Sequence, residues 1–276
     1  MVNFFFVQNS MDDDNFDGLK VLFNDPEINV GDLGESIPVN FTGMKPITLK
    51  IPNVERKNSL LFAHHVWKAS VLVSKTLLEI GNLKGLDILE LGSGSGLPSI
   101  IASNLGGTVT ASDYPDEDLI KMLELNLKSN TTSSYSVMSH IWGDRAKDCL
   151  FPSAMPYKQF DIILMADTLW MKDQHENLLN DLKLLLKPSG RVIGCAGLHS
   201  GKSTFQEFFQ TAESETFGFK CLYCQPYRIP SVVGLAENEI WEQVGPSEII
   251  PDTVYDRQWF LFNYVLEFSN KLDLEI

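Results

Sequence analysis

A short apolar run, Leu86 to Leu91, breaks into Gly92-Ser93-Gly94-Ser95-Gly96, and this junction constrains the fold more than any other part of the chain. The run suits a buried parallel strand, and three alternate glycines let the backbone turn sharply against a ligand with no side chain in the way. From Leu97 the pattern becomes helical, with Pro98 in the first turn, where its missing N–H costs nothing and its fixed φ suits a helix. Thr108 to Ser112 reads as a second strand closed by Asp113, seventeen residues after Gly96 and twenty-one after Gly92. That is close to the spacing at which a carboxylate ending the second strand accepts hydrogen bonds from ribose hydroxyls, so a nucleoside is expected rather than a bare phosphate. The dinucleotide fingerprint needs glycine where this chain has Leu97, and Glu90 stands just before the first glycine, which weakens a nicotinamide or flavin reading.

The rest of the chain repeats the strand-helix rhythm. Apolar residues at helical intervals predict a helix over Leu60 to Ile80, and Asp116 to Lys128 is helical with Asp and Glu in its first turn. Strands are expected over Ser136–Ile141, Phe160–Asp167 and Gly190–Ala196, with helices over Gln174–Leu186 and Ser203–Glu215. A late strand pair follows near Phe219–Tyr223 and Trp259–Phe268. Such alternation predicts an α/β fold with a parallel sheet, helices on both faces and ligands beyond the carboxyl ends of the strands. Asp113, Trp142 and Asp167 all fall at such ends. Residues 1–58, with Asp-rich turns and an alternating Ile47–Ile51, read as an N-terminal extension, a lid or strand pair, to one domain over 59–276.

A formal net charge of −14 argues against nucleic-acid binding and leaves room for a basic protein partner or a small substrate. Four scattered cysteines frame no disulfide scaffold, which points to a reducing, cytoplasmic setting. Cys221 and Cys224 have C-x-x-C spacing, but residues three apart on a regular strand face opposite sides, so they read as strand cysteines and no metal is expected. Phe4–Val7, followed by Asp12–Asp14, lacks the basic start and length of a signal peptide, and no run is long enough to span a membrane.

Glu90 to Ser99, Ser112-Asp113-Tyr114-Pro115-Asp116, Ile141-Trp142-Gly143-Asp144, Ala166-Asp167-Thr168-Leu169-Trp170 and His175, with Val66-Trp67 ahead of them, resemble the lysine-methyltransferase-like branch of the class I methyltransferases. That lineage includes enzymes modifying translation elongation factors and fungal proteins labelled nicotinamide N-methyltransferase-like. The resemblance implies a Rossmann-like seven-stranded sheet and S-adenosylmethionine as cofactor. It implies that Trp67 borders the methionine end, that Gly92, Ser93, Gly94 and Gly96 pass under the cofactor behind Glu90, and that Asp113, beside Tyr114, holds the ribose. Trp142 would flank the adenine and Ala166 would touch the cofactor from the fourth strand. Asp167 and Trp170 would face the acceptor, and His175 is a candidate proton acceptor. Many protein-lysine members carry Tyr or Phe where this chain has Trp170, and the elongation-factor enzymes follow it with Asn-His rather than Met171-Lys172.

Methyl transfer from a sulfonium is a displacement that needs an aligned, neutral nucleophile, so positioning and desolvation supply most of the rate. A carboxylate such as Asp167 beside an aromatic wall suits an amine acceptor and its cationic product. The expected activity is N-methylation of a protein amine, lysine or N-terminal, with a small nitrogen compound as the alternative. Two rivals remain. Ala196 to Ser203 fits a relaxed phosphate-loop pattern without the later magnesium-binding Asp, and a binding module could keep the fold without the activity. No G-x-S-x-G elbow surrounds Ser93 or Ser95, which leaves a hydrolase unsupported.

Overall fold

The computed structural model describes residues 29–30, 34–51, 65–143, 158–229, 241–245, 250 and 259–269. Asp144, Cys149, the Leu60 end of the first expected helix, Phe4–Val7, Asp12–Asp14 and the expected domain boundary at 58/59 lie outside them.

In chain order the elements are β1 (Asn29–Val30), β2 (Ser36–Val39), β3 (Ile47–Lys50), β4 (Val66–Trp67), α1 (Lys68–Ile80), β5 (Asp87–Leu91), α2 (Leu97–Asn104), β6 (Thr108–Asp113) and α3 (Glu117–Asn130). There follow β7 (Tyr135–Ser139), β8 (Phe160–Ala166), a 3-10 turn Lys172–Gln174, α4 (His175–Leu185), β9 (Leu186–Gly197), α5 (Gly201–Ala212), β10 (Phe219–Arg228), β11 (Glu242–Gln243) and β12 (Phe260–Phe268). The central sheet runs β11-β10-β12-β9-β8-β5-β6-β7. The expected seven strands are therefore joined by an eighth, the two-residue β11, which pairs with the end of β10 through Tyr227 and Arg228. Strands β5 to β9 pair in parallel, while β12 inserts antiparallel between β9 and β10.

Two apolar layers cover the sheet. One gathers α1, α2 and α3, with Leu72, Leu77, Ile100, Leu123 and Leu127 buried against Ile88, Val109 and Leu164. The other lies under α4 and α5, where Phe205, Phe208 and Phe209 meet Phe262 and Tyr264. Burial of each such ring contributes about 1.5–3 kcal/mol.

Most expected elements form, and the displaced boundaries have local causes. Helix α1 starts only at Lys68 because Val66 and Trp67 are extended and pair with Val30 and Asn29. Strand β9 starts at Leu186, four residues before the expected Gly190, since Leu186 already pairs with Phe160 and an irregularity before Ile162 absorbs the intervening residues. Asp116 caps α3, accepting from the N–H of Asp118 at 3.1 Å and of Leu119 at 3.0 Å.

Within the N-terminal segment, β2 and β3 pair antiparallel. Hairpin β2–β3 buries Ile37, Val39, Ile47 and Leu49 and docks on α3 through two asparagines four residues apart. Asn126 accepts from Lys50 N–H at 2.8 Å and donates to Lys50 O at 2.9 Å, while Asn130 does the same for Thr48 at 3.0 and 2.9 Å. Asn126 also donates to Ser95 O at 3.0 Å, so one amide ties the hairpin to the glycine-rich turn.

The cysteines of β10 depart from the expected alternation. A bulge between Cys221 and Tyr223 cancels the opposite-face rule, so both cysteines join the same apolar layer, with the Cys221 thiol donating to Tyr223 O at 3.1 Å. Among the described residues, no helix is long and apolar enough to cross a membrane, and no group of three His, Cys, Asp or Glu could hold a metal.

Candidate active site

A cleft of about 250 Å³ opens at the carboxyl ends of the parallel strands. Of the residues singled out in the sequence, Trp67, Gly92, Gly94, Asp113, Tyr114, Trp142, Ala166, Asp167 and Trp170 line it.

One side is built from backbone. Ser93 N–H donates to Ser112 O at 3.0 Å, and Ser112 returns a bond to Ser93 Oγ at 3.1 Å, locking the ends of β5 and β6 together. Asp113 accepts Gly94 N–H on one carboxylate oxygen at 2.6 Å and Tyr114 N–H on the other at 2.7 Å. Burial pushes this carboxyl up to about 6 against those two bonds, and the carboxylate keeps further lone pairs for a ligand. Gly92 has φ +69°, and a Cβ there would lie 3.0 Å from Thr168 Cγ2 and 3.1 Å from Trp142 Cζ2, so the turn passes tightly beneath both side chains. The turn carrying Trp142 is anchored by buried Asp181 of α4, which holds His140 Nε2 at 2.8 Å and Gly143 N–H at 3.0 Å.

Glu90, Ser93 and Gly96, expected at the cofactor, lie behind the cleft and hold its wall. Glu90 Oε2 accepts from both the N–H, at 3.0 Å, and the hydroxyl of Ser99, binding β5 to the first turn of α2. Burial lifts the Glu90 carboxyl to about 8, which makes it largely a neutral acid near pH 7. Gly96 faces α3, where a Cβ would come within 2.6 Å of Leu123 Cδ1.

The other side is built from side chains at the ends of β8 and β9. Asp167 has φ +61°, the only positive φ outside glycine among the described residues. Asp is one of the few side chains that visits this region, and such strain concentrates at functional sites. Its buried carboxylate accepts Gly197 N–H at 3.0 Å and faces His199 Nε2 with both oxygens at 3.0 and 2.9 Å. Ser200 Oγ donates to Trp170 O, and the Trp67 ring meets the His199 ring edge-on at 5.6 Å.

His175, expected as a proton acceptor, is not among the residues that line the cleft. It is buried with Nε2 bonded to Leu169 O at 2.8 Å and its ring against Phe208 at 5.2 Å. Burial lowers its pKa. The rival phosphate loop is likewise spent on structure: buried Lys202 Nζ donates to Ile250 O at 2.7 Å.

Sequence reasoning missed Thr168, Met171, Gln174, His140 and Ile141 in the lining, and His199 behind it. Thr168 was detectable as a neighbour of Asp167, while His199 reaches Asp167 across thirty-two residues and carries no local signal.

A family model described as lysine methyltransferase matches residues 45–215. The chain belongs to the lysine methyltransferase family. It is a methyltransferase, and its methyl donor is S-adenosylmethionine. Among relatives, the protein N-terminal and lysine N-methyltransferase EFM7 of Gibberella zeae is 29% identical over 192 residues, 63% of this chain and 71% of that protein. The EFM7 of Candida albicans is 31% identical over 190 residues, covering 61% and 70% of the two chains. A solved methyltransferase complexed with SAH, SMU.776, shares the fold with a TM-score of 0.55 at 12% identity, over 86% of this chain and 57% of that one.

The residues present fit S-adenosylmethionine. Gly92 leaves a cradle that a Cβ would fill, Asp113 presents a carboxylate at the second strand end, and the buried hydroxyl of Thr168, a cleft-lining residue, has no hydrogen-bond partner among the described residues.

Proposed function

We propose that this methyltransferase modifies an amine nitrogen on a protein, a lysine side chain or an N-terminal amine. In this reading Gly92, Gly94, Asp113, Tyr114, Trp142, Ala166 and Trp67 hold the donor, and Asp167 and Trp170 face the acceptor. When bound, S-adenosylmethionine supplies a methyl group on a positively charged sulfur. The chain supplies alignment and a dry environment, the main levers on such a displacement.

The observation that carries the reading is the buried Asp167 carboxylate, which lines the cleft together with Trp67 and Trp170. A carboxylate there orients an amine and favours the cationic product, and indole rings in the same cleft suit a cation further. An anionic acceptor would meet repulsion at the same place. Support for a protein acceptor comes from the EFM7 relatives, named for protein N-terminal and lysine methylation. The net charge of −14 adds to it, favouring a basic protein partner over nucleic acid. Free thiols at Cys195, Cys221 and Cys224 support action in the reducing cytoplasm.

The test is transfer of tritium from labelled S-adenosylmethionine into a eukaryotic cell lysate, split afterwards into macromolecular and small-molecule fractions. Acid-stable label on protein, recovered as methyl-lysine or a methylated N-terminus after hydrolysis, is the expected result. Label confined to the small-molecule fraction would overturn the protein-directed reading.

A further inference from the structure

The loop that follows β9 does more than connect it to α5. We propose that His199 is a positioning residue for methyl transfer, fixing the Asp167 carboxylate that faces the acceptor. This rests on the reading of Asp167 given above.

Two loops meet here. The first leaves β8 at Asp167 and carries Trp170; the second leaves β9 at Gly197 and carries His199 and Ser200. Three bonds tie the second to the first: Gly197 N–H to Asp167 Oδ1 at 3.0 Å, His199 Nε2 to the Asp167 carboxylate at 2.9 Å, and the Ser200 hydroxyl to Trp170 O. Both expected acceptor-facing residues are therefore gripped by one neighbouring turn. Against an ionised carboxylate, which only accepts, Nε2 has to carry the shared proton.

The His199 ring is seated with little room to move. It is 2% exposed and does not itself line the cleft, so it acts through Asp167 and not on the acceptor. On one side it lies over its own turn: a Cβ on Gly197 would come within 2.7 Å of His199 Nε2 and 2.9 Å of Cε1. On the other side the Trp67 ring closes against it, with His65 edge-on to Trp67 at 5.9 Å. Glycine at 197 is what lets the imidazole fold back onto the strand end.

The need for such a brace follows from Asp167 itself. Its backbone sits at φ +61°, and the last carboxylate torsion of an Asp is broad, with no strong preference of its own. Without His199, the Gly197 N–H would hold one oxygen and leave the carboxylate free to rotate. Reactions that depend on alignment lose rate steeply with small displacements. Of the residues proposed to hold the donor, Gly92, Gly94 and Asp113 on β5 and β6 share none of these contacts while Trp67 does meet the His199 ring, so donor binding is expected to change far less than transfer.

The experiment compares wild type with His199→Ala, His199→Gln, Gly197→Ala and Asp167→Asn. Donor affinity is read by calorimetry, folding by thermal melting, and transfer by initial rates against increasing lysate protein as acceptor. Expected for His199→Ala is a kcat about 10–100-fold lower with a much smaller change in donor Kd. His199→Gln, whose amide N–H reaches the Nε2 position, should recover most of the loss. Gly197→Ala, which displaces the ring without altering it, should mimic His199→Ala and stands in should that variant fail to fold. Nitrogen NMR on histidine-labelled protein should place the His199 proton on Nε2 in wild type and shift that signal in Asp167→Asn. Wild-type kcat in both His199→Ala and Gly197→Ala, or a loss in His199→Gln equal to that of the alanine variant, overturns the proposal. Wild-type kcat in Asp167→Asn instead overturns the acceptor reading on which it rests.

Discussion

The two walls of the cleft are made of different material. The donor wall, from Glu90 through Tyr114, is backbone and glycine, pinned by main-chain amides on Asp113 and by serines bridging β5 and β6. The acceptor wall is side chains, with a strained Asp167 braced by a turn some thirty residues downstream. A backbone wall recognises a constant partner, whose shape every member of a family must accommodate. A side-chain wall is free to vary by single substitutions, and here it carries Trp170-Met171-Lys172. On the proposed reading, the contrast assigns cofactor affinity to one wall and transfer to the other.

Substitutions that separate the walls give the largest effects. Asp167→Asn should lower turnover by about 10²–10⁴-fold with donor affinity intact, measured by initial rates and calorimetry on the same preparation. A parallel loss of donor binding would break the division. Asp113→Ala should weaken S-adenosylmethionine binding by about 10–100-fold, in keeping with loss of a charge-assisted hydrogen bond. Saturating donor should then restore kcat, and failure to do so would merge the two walls.

A smaller effect lies behind the donor wall. Burial lifts the Glu90 carboxyl from its ordinary value near 4.5 to about 8, so between those values the folded protein holds a proton the unfolded chain has released. The stability this contributes is complete below about pH 4.5 and is lost as pH rises through 8. Asp113, raised to about 6, adds a fall of the same sign over the lower part of that range. Glu90→Gln, which copies the neutral acid, should flatten the decline in Tm as buffers move from mildly acidic to mildly alkaline. An unchanged pH slope would show that Glu90 is ionised in the fold. The smallest expected change is for Asn126→Ala, which removes bonds to Lys50 and Ser95. It should lower stability by about 1–3 kcal/mol in chemical denaturation and loosen donor binding slightly, with kcat unaffected.

The same contrast explains how much could be read from the chain. The donor wall was legible because backbone turns demand glycine and strand ends recur at fixed spacing, so Gly92, Gly94 and Asp113 announce themselves locally. The helices and parallel strands were legible from periodicity, with boundaries shifted only where pairing overrode pattern, as at Val66-Trp67 and Leu186. Three things were not. The brace from His199 depends on two strand ends becoming neighbours through the sheet order. The bulge that brings Cys221 and Cys224 to one side is an added residue in the ladder, which alternation cannot foresee. His175 lies in the same stretch as the acceptor motif, yet its ring turns inward to Leu169 O. Distance along the chain hid His199.

The order of the sheet has a consequence for how the protein is made. Strand β12 enters between β9 and β10, pairing Leu261–Leu266 with Gly197–Val192, and is the last strand among the described residues. A nascent polypeptide leaving the ribosome can assemble both walls of the cleft while β9 still shows a bare edge. Until residue 266 has emerged, that edge is open to any stray strand, so chaperone cover matters during that interval.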